Sequence, residues 1–182
     1  MAVRKIIRMG HPTLRKVARP LSDSEILSGE IARLVHDMTD TLHDYGGIGL
    51  AAPQVDESVR LAMIEIPSEG SRYGDLESLE LTVFINPVVS ALESSRAGYW
   101  EGCLSIPGLR GWVERPQRVR VDYKDLELNE HSREFEGFHA TVVQHEFDHL
   151  DGFLYVDRLT DMTRLMFESE FERLAKEQES VD

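Results

Sequence analysis

The run Gln144-His145-Glu146-Phe147-Asp148-His149 constrains this chain more than any other feature. On a helix, residues four apart sit one turn apart and point the same way. His145 and His149 can then hold one divalent cation between them, and Glu146 lies close enough to move a proton. Phe138, Val142, His145 and His149 fall at helical spacing, so the face that would hold a metal continues an apolar face. Taken alone, the pair is equally well explained as surface histidines on an acidic helix.

Two imidazoles leave a divalent ion short of a full shell. The only cysteine, Cys103, would make three protein ligands and leave one position for water, the pattern of a catalytic rather than a closed structural site. The metal would lower the pKa of that water toward neutrality and generate hydroxide. Glu146 would take the water's proton and hand it to a leaving nitrogen. Attack on a carbonyl also needs donors for the developing oxyanion, worth ~3 to 4 kcal/mol. The Gln54 amide and the backbone N–H of Leu104, next to Cys103, are candidates. Gly46, Gly47 and Gly49 allow the backbone to approach a substrate closely. Taken alone, a helix cap followed by a tight turn is the better explanation of those glycines, and they do not make a dinucleotide site.

Composition narrows the classes. A single cysteine excludes an internal disulfide framework and fits a reducing cytoplasm. A net charge of −13 argues against general nucleic-acid binding. No apolar run reaches the ~18 residues of a membrane span. The basic start, Met1 to Gly10, lacks the long apolar core of a secretory signal. Residues 1–182 read as one domain.

Residues 24–45 carry Ile31, Leu34, Val35, Met38 and Leu42 at helical spacing, with Asp23 or Ser24 as cap and Gly46-Gly47 as the end. Val59 to Ile66 reads as a buried strand, and 67–80 as a surface loop. Leu81 to Ile85 reads as a strand stopped by Asn86-Pro87. Residues 118–123 alternate as a half-buried strand, paired with 133–138. The motif helix spans 139–151 and a last helix 161–178. Strands do not alternate with helices, so the expected class is α+β. It is a mainly antiparallel sheet around a central His-Glu-x-x-His helix, with one helix near each terminus.

Three segments, in order, resemble the motifs of the peptide deformylase family: Gly47-Ile48-Gly49-Leu50-Ala51-Ala52-Pro53-Gln54, Glu101-Gly102-Cys103-Leu104-Ser105, and Gln144 to His149. Ile7 to Arg15 also resembles the family's opening. The resemblance covers roughly residues 6 to 160. It implies a hydrolase that removes the N-formyl group from the formylmethionine of nascent polypeptides and releases formate. It implies Cys103, His145 and His149 as metal ligands, Glu146 as general acid and base, and Gln54 with the Leu104 N–H as oxyanion donors. Gly49 would give a backbone contact to substrate. Ile48, Tyr99, Phe138, Thr141, Val142 and His145 would line the slot for the methionine side chain. Arg110 and Arg115 would orient the peptide or pair with carboxylates such as Glu101 and Asp148. The implied cofactor is one divalent ion, Fe(II) first, with Zn, Ni or Co as substitutes. Some members dock on the ribosome through a basic C-terminal helix. Here residues 160–182 hold three basic and seven acidic residues, so such a dock is not expected of this tail.

Two rival readings remain open at this point. In one, the chain is a metallopeptidase whose third ligand is Glu168 or Glu170, with Cys103 a core residue. In the other, it is a metal-binding module without catalysis, against which Glu146 argues.

Overall fold

The computed structural model describes residues 2–67 and 78–179. Of the loop expected over 67–80, residues 68–77 lie outside those described, and Leu79 and Glu80 are already strand. In chain order the strands are β1 (Gly49–Ala51), β2 (Leu61–Ile66), β3 (Leu79–Ala91), β4 (Arg96–Cys103), β5 (Ile106–Pro116), β6 (Arg118–Lys124), β7 (Glu130–Glu136) and β8 (Leu165–Phe167). The helices are α1 (Asp23–Ile26), α2 (Gly29–Tyr45), α3 (Gly137–Leu150) and α4 (Glu168–Glu179). One sheet runs β1-β2-β3-β6-β7 and the other β4-β5-β8, and every pairing in both is antiparallel. The expected α+β architecture is the one observed. No helix among the described residues is long and apolar enough to cross a membrane.

β2 explains the layering. Its side chains alternate between the two faces of the larger sheet. Leu61 and Met63 join Leu34, Val35, Met38 and Leu42 of α2 in one core. Ala62, Ile64 and Ile66 join Ala140, Val143, Phe147 and Leu150 of α3 in the other. Each fully buried large side chain stabilises by about 1.5–3 kcal/mol. The motif helix α3 is thus pressed between the larger sheet on one side and β4 and β5 on the other. Ten of its residues, from Ala140 to Leu150, are buried, which is why polar groups on it must find partners or a function.

Three elements differ most from the sequence reading, while β2, β7 and α3 shift by two or three residues at an end. The helix expected over 24–45 is two: Ser22, not Asp23 or Ser24, caps α1 in a box with Glu25, and the chain restarts α2 after Ser28. The end is as expected, with Gly46 in the left-handed conformation at φ 64°. β3 does not stop at Asn86-Pro87. Asn86 sits at φ 50°, the register shifts between Ile85 and Val88, and the strand bends and continues. Pro87 costs no ladder bond at such a bulge. The Asn86 amide is bonded to both the N–H and the carbonyl of Leu21, at 2.9 and 2.8 Å, which fixes the bend. Finally, the helix expected over 161–178 begins only at Glu168. Met162–Arg164 is a 3-10 turn, and Leu165–Phe167 pairs with β5 as β8. Phe171 of α4 packs on Trp100 at 5.5 Å, and the Arg164 guanidinium lies 4.1 Å over Trp112, so the last segment is fastened to the smaller sheet.

Candidate active site

α3 carries His145, Glu146 and His149 into the interior, where they are 9, 5 and 1% exposed. β4 brings Cys103 against them, just past a register shift between Glu101 and Cys103. One ligand atom from each of Cys103, His145 and His149 lies within 4.8 Å of the others, a group that could hold a metal ion. Cys103 Sγ is 3.3 Å from His149 Nε2. His145 Nδ1 is bonded to Glu101 Oε2 at 2.7 Å, which leaves its Nε2 for the centre. Gln54 Nε2 donates to Cys103 Sγ at 3.5 Å while its Oε1 accepts from the Ala51 N–H at 2.8 Å, so the amide is held in one orientation. Glu146 Oε2 and His149 Nδ1 are buried without a hydrogen-bond partner.

The electrostatics follow from this crowding. Burial would push the Cys103 thiol up, but the charges and hydrogen bonds of His149 and His145 pull it down to about 5. Burial would lower His145, yet Cys103 and Glu101 raise it well above the ordinary imidazole value. For Glu146 burial prevails over the two histidines and raises the carboxyl to about 7. Burial also works against Glu101 and Asp148, but the bonds of His145 and the arginines hold both below the usual carboxylate range.

The centre opens into a cleft of about 270 Å³. Ile48, Phe138, Thr141, Val142 and His145 line it, as the sequence suggested, and Gly49, Gln54, Leu104 and Arg110 border it too. Tyr99 is the exception. It does not line the cleft but stands behind Phe138, ring on edge at 5.5 Å. Gly49 has a role the sequence reading missed: a Cβ there would lie 2.3 Å from Glu146 Oε1. Arg115 pairs with Glu101 and Asp148 as anticipated, at 2.6 and 2.8 Å. Arg110 instead meets Glu168 at 2.5 Å. Glu168, a candidate third ligand on the peptidase reading, is engaged there rather than in the ligand group, and Glu170 pairs with Arg173. Ser105, which accepts from Gln54 at 3.3 Å, and Arg158, which grips Asp148, were also missed. Nothing in spacing or composition marks either.

Comparison with known proteins agrees along nearly the whole chain. The family model described as polypeptide deformylase matches residues 3–165. A peptide deformylase of Leptospira biflexa is 43% identical over 159 residues, spanning 87% of this chain and 89% of that one. Peptide deformylase 2 of Pseudomonas syringae is 40% identical over 165 residues, spanning 91% and 92%. Among solved structures, a class I type b peptide deformylase from Acinetobacter baumannii bound to Met-Ala-Ser has a TM-score of 0.82 at 36% identity. The match covers 87% of this chain and 99% of that one. The chain belongs to the polypeptide deformylase family. It is an enzyme that removes the N-formyl group from formyl-methionyl peptides, a hydrolase of protein biosynthesis.

Proposed function

We propose that the chain hydrolyses the formamide of formylmethionine on nascent polypeptides with one divalent metal ion held by Cys103, His145 and His149. The observation that carries this reading is the convergence of three ligand atoms beside a buried, unpartnered Glu146 oxygen at the floor of the cleft. A thiolate and two imidazoles suit Fe(II) as well as Zn, Ni or Co, and Fe(II) is the ion the family resemblance favours. When bound, the ion supplies Lewis acidity and lowers the pKa of water.

The chain's own groups do the rest. Glu146, poised near neutrality by burial, takes a proton from water and returns it to the departing amine. Gln54 Nε2 and the Leu104 N–H face the formyl oxygen as charge builds on it. The Gly49 backbone pairs with the peptide. Ile48, Phe138, Thr141 and Val142 form a mostly apolar slot for a long, unbranched side chain, with Tyr99 as its backing. Arg110, held by Glu168, borders the path of the following residues. The Met-Ala-Ser bound to the Acinetobacter relative has the composition of a deformylated product, which supports the same substrate class here. A nascent-chain substrate supports a cytoplasmic enzyme, and the family match over residues 3–165 supports one catalytic domain over 1–182. The acidic α4 disfavours an electrostatic dock on ribosomal RNA.

The test is formate release from formyl-Met-Ala-Ser by protein purified anaerobically with Fe(II), beside Glu146→Ala. Fast release that the substitution abolishes is expected. No release from metal-loaded protein would overturn the assignment.

A further inference from the structure

We propose that Arg158 is a positioning residue for the reaction: it holds Asp148 and, through Arg115 and Glu101, sets the orientation of His145. The inference rests on the metal-ligand role of His145 proposed above.

An unbroken series of charged hydrogen bonds runs from the surface to the ligand. Arg158 Nη2 donates to Asp148 Oδ1 at 2.6 Å and its Nε to Oδ2 at 3.1 Å. The same Oδ2 accepts from Arg115 Nη1 at 2.8 Å. Arg115 then grips Glu101 at two points, Nε to Oε1 at 2.6 Å and Nη2 to Oε2 at 3.0 Å. Glu101 Oε2 is also the acceptor for His145 Nδ1 at 2.7 Å. At two steps one oxygen is shared between consecutive members, so the position of each fixes the next.

Arg158 is the member of this series that reaches solvent, at 41% side-chain exposure against 10% or less for the others. It is held over the Phe153 ring at 4.4 Å. Together with Asp148 and Arg115 it lines a recess of about 340 Å³ on the flank of α3 away from the catalytic cleft. Among the described residues Asp148 Oδ1 has no donor besides Arg158, so without it the carboxylate can turn toward water in that recess. Its bond to Arg115 then weakens, and with it the fork that sets Glu101. Groups that orient a ligand's second nitrogen typically change metal affinity by about 10–100-fold when lost directly. A residue three steps further out is expected to move it by roughly threefold to tenfold.

The experiment follows chelator-driven loss of Co(II) from the full chain in wild type, Arg158→Gln, Arg158→Lys and Arg60→Gln. Arg60 is the control: it pairs with Asp151 at 2.6 Å at the same end of α3 but has no bond into the series. Arg158→Gln should lose cobalt roughly threefold to tenfold faster. Arg158→Lys should fall between, and Arg60→Gln should match wild type. kcat should fall in Arg158→Gln while KM for formyl-Met-Ala-Ser stays the same. Should Arg158→Gln fail to fold, faster loss from Arg158→Lys than from wild type carries the test. Wild-type loss rates in the Arg158 variants, or equal acceleration by Arg60→Gln, would overturn the positioning role alone. A wild-type protein that takes up no cobalt would overturn the metal reading beneath it.

Discussion

The two flanks of α3 are both buried and both polar, yet they are finished differently. On the flank where α3 meets Arg115 of β5 and Glu101 of β4, both Asp148 oxygens are bonded, and Arg115 and Glu101 satisfy one another. On the flank facing the cleft, Glu146 Oε2 and the Thr141 hydroxyl have no partner. Each unsatisfied buried group costs about 1–3 kcal/mol. Asp40 Oδ2, Trp112 Nε1 and the Tyr155 hydroxyl are also unpartnered, so the lack alone does not mark a site; at Glu146 it coincides with the cleft and the ligand group, which fits the proposed chemical role of that flank.

The largest effect expected is on the finished flank. Arg115→Ala leaves two carboxylates buried at 6 and 8% exposure without their shared cation. It should destabilise by about 3–5 kcal/mol in denaturant unfolding. A loss below ~1 kcal/mol, the level of a surface ion pair, would break the distinction between the flanks.

Next comes the cleft. Gly49→Ala puts a methyl group 2.3 Å from Glu146 Oε1 and must displace the carboxylate proposed as the base. A displacement of about 1 Å costs roughly a hundredfold in rate. Activity should therefore fall much further than stability, the reverse of Arg115→Ala. Wild-type kcat in Gly49→Ala would show that the position of Glu146 is not set this way.

The smallest effect is a titration. Metal-free Cys103 is an acid with a depressed pKa, so its thiolate is present above about 5 and is lost as pH falls through that value. Alkylation of the metal-free protein should be at its plateau at neutral pH and slow only near about 5. A rate still rising toward about 8.5, as for a free thiol, would mean that the histidines do not hold the charge.

Much of this was readable in advance because it follows periodicity. β2 is a short apolar run, β6 alternates, and α2 repeats at helical spacing. β4 and β5 escaped because their glycines look like turns. A Cβ on Gly98 would lie 2.2 Å from Trp112, and one on Gly102 would lie 2.4 Å from Arg110. Those glycines make room for large neighbours across the sheet, a pairing the linear sequence does not display. Asn86-Pro87 misled for a related reason: a bulge and a strand end use the same residues. At the site, the proposed ligands and the proposed base are local motifs and were legible. Tyr99 was misplaced because it entered only with the family resemblance, and no local pattern says whether a ring lines a cleft or stands behind its neighbour. Arg158 was invisible because its meaning lies wholly in a contact with Asp148.

The central claim is that Cys103, rather than a downstream glutamate, completes the metal site with His145 and His149. X-ray absorption at the metal edge of Co(II)-loaded protein tests it most directly. The account predicts one sulfur at about 2.3 Å beside imidazole nitrogens. That sulfur should be lost in Cys103→Ser and unchanged in Glu168→Gln. A sulfur-free shell in wild type, altered by Glu168→Gln, would contradict it.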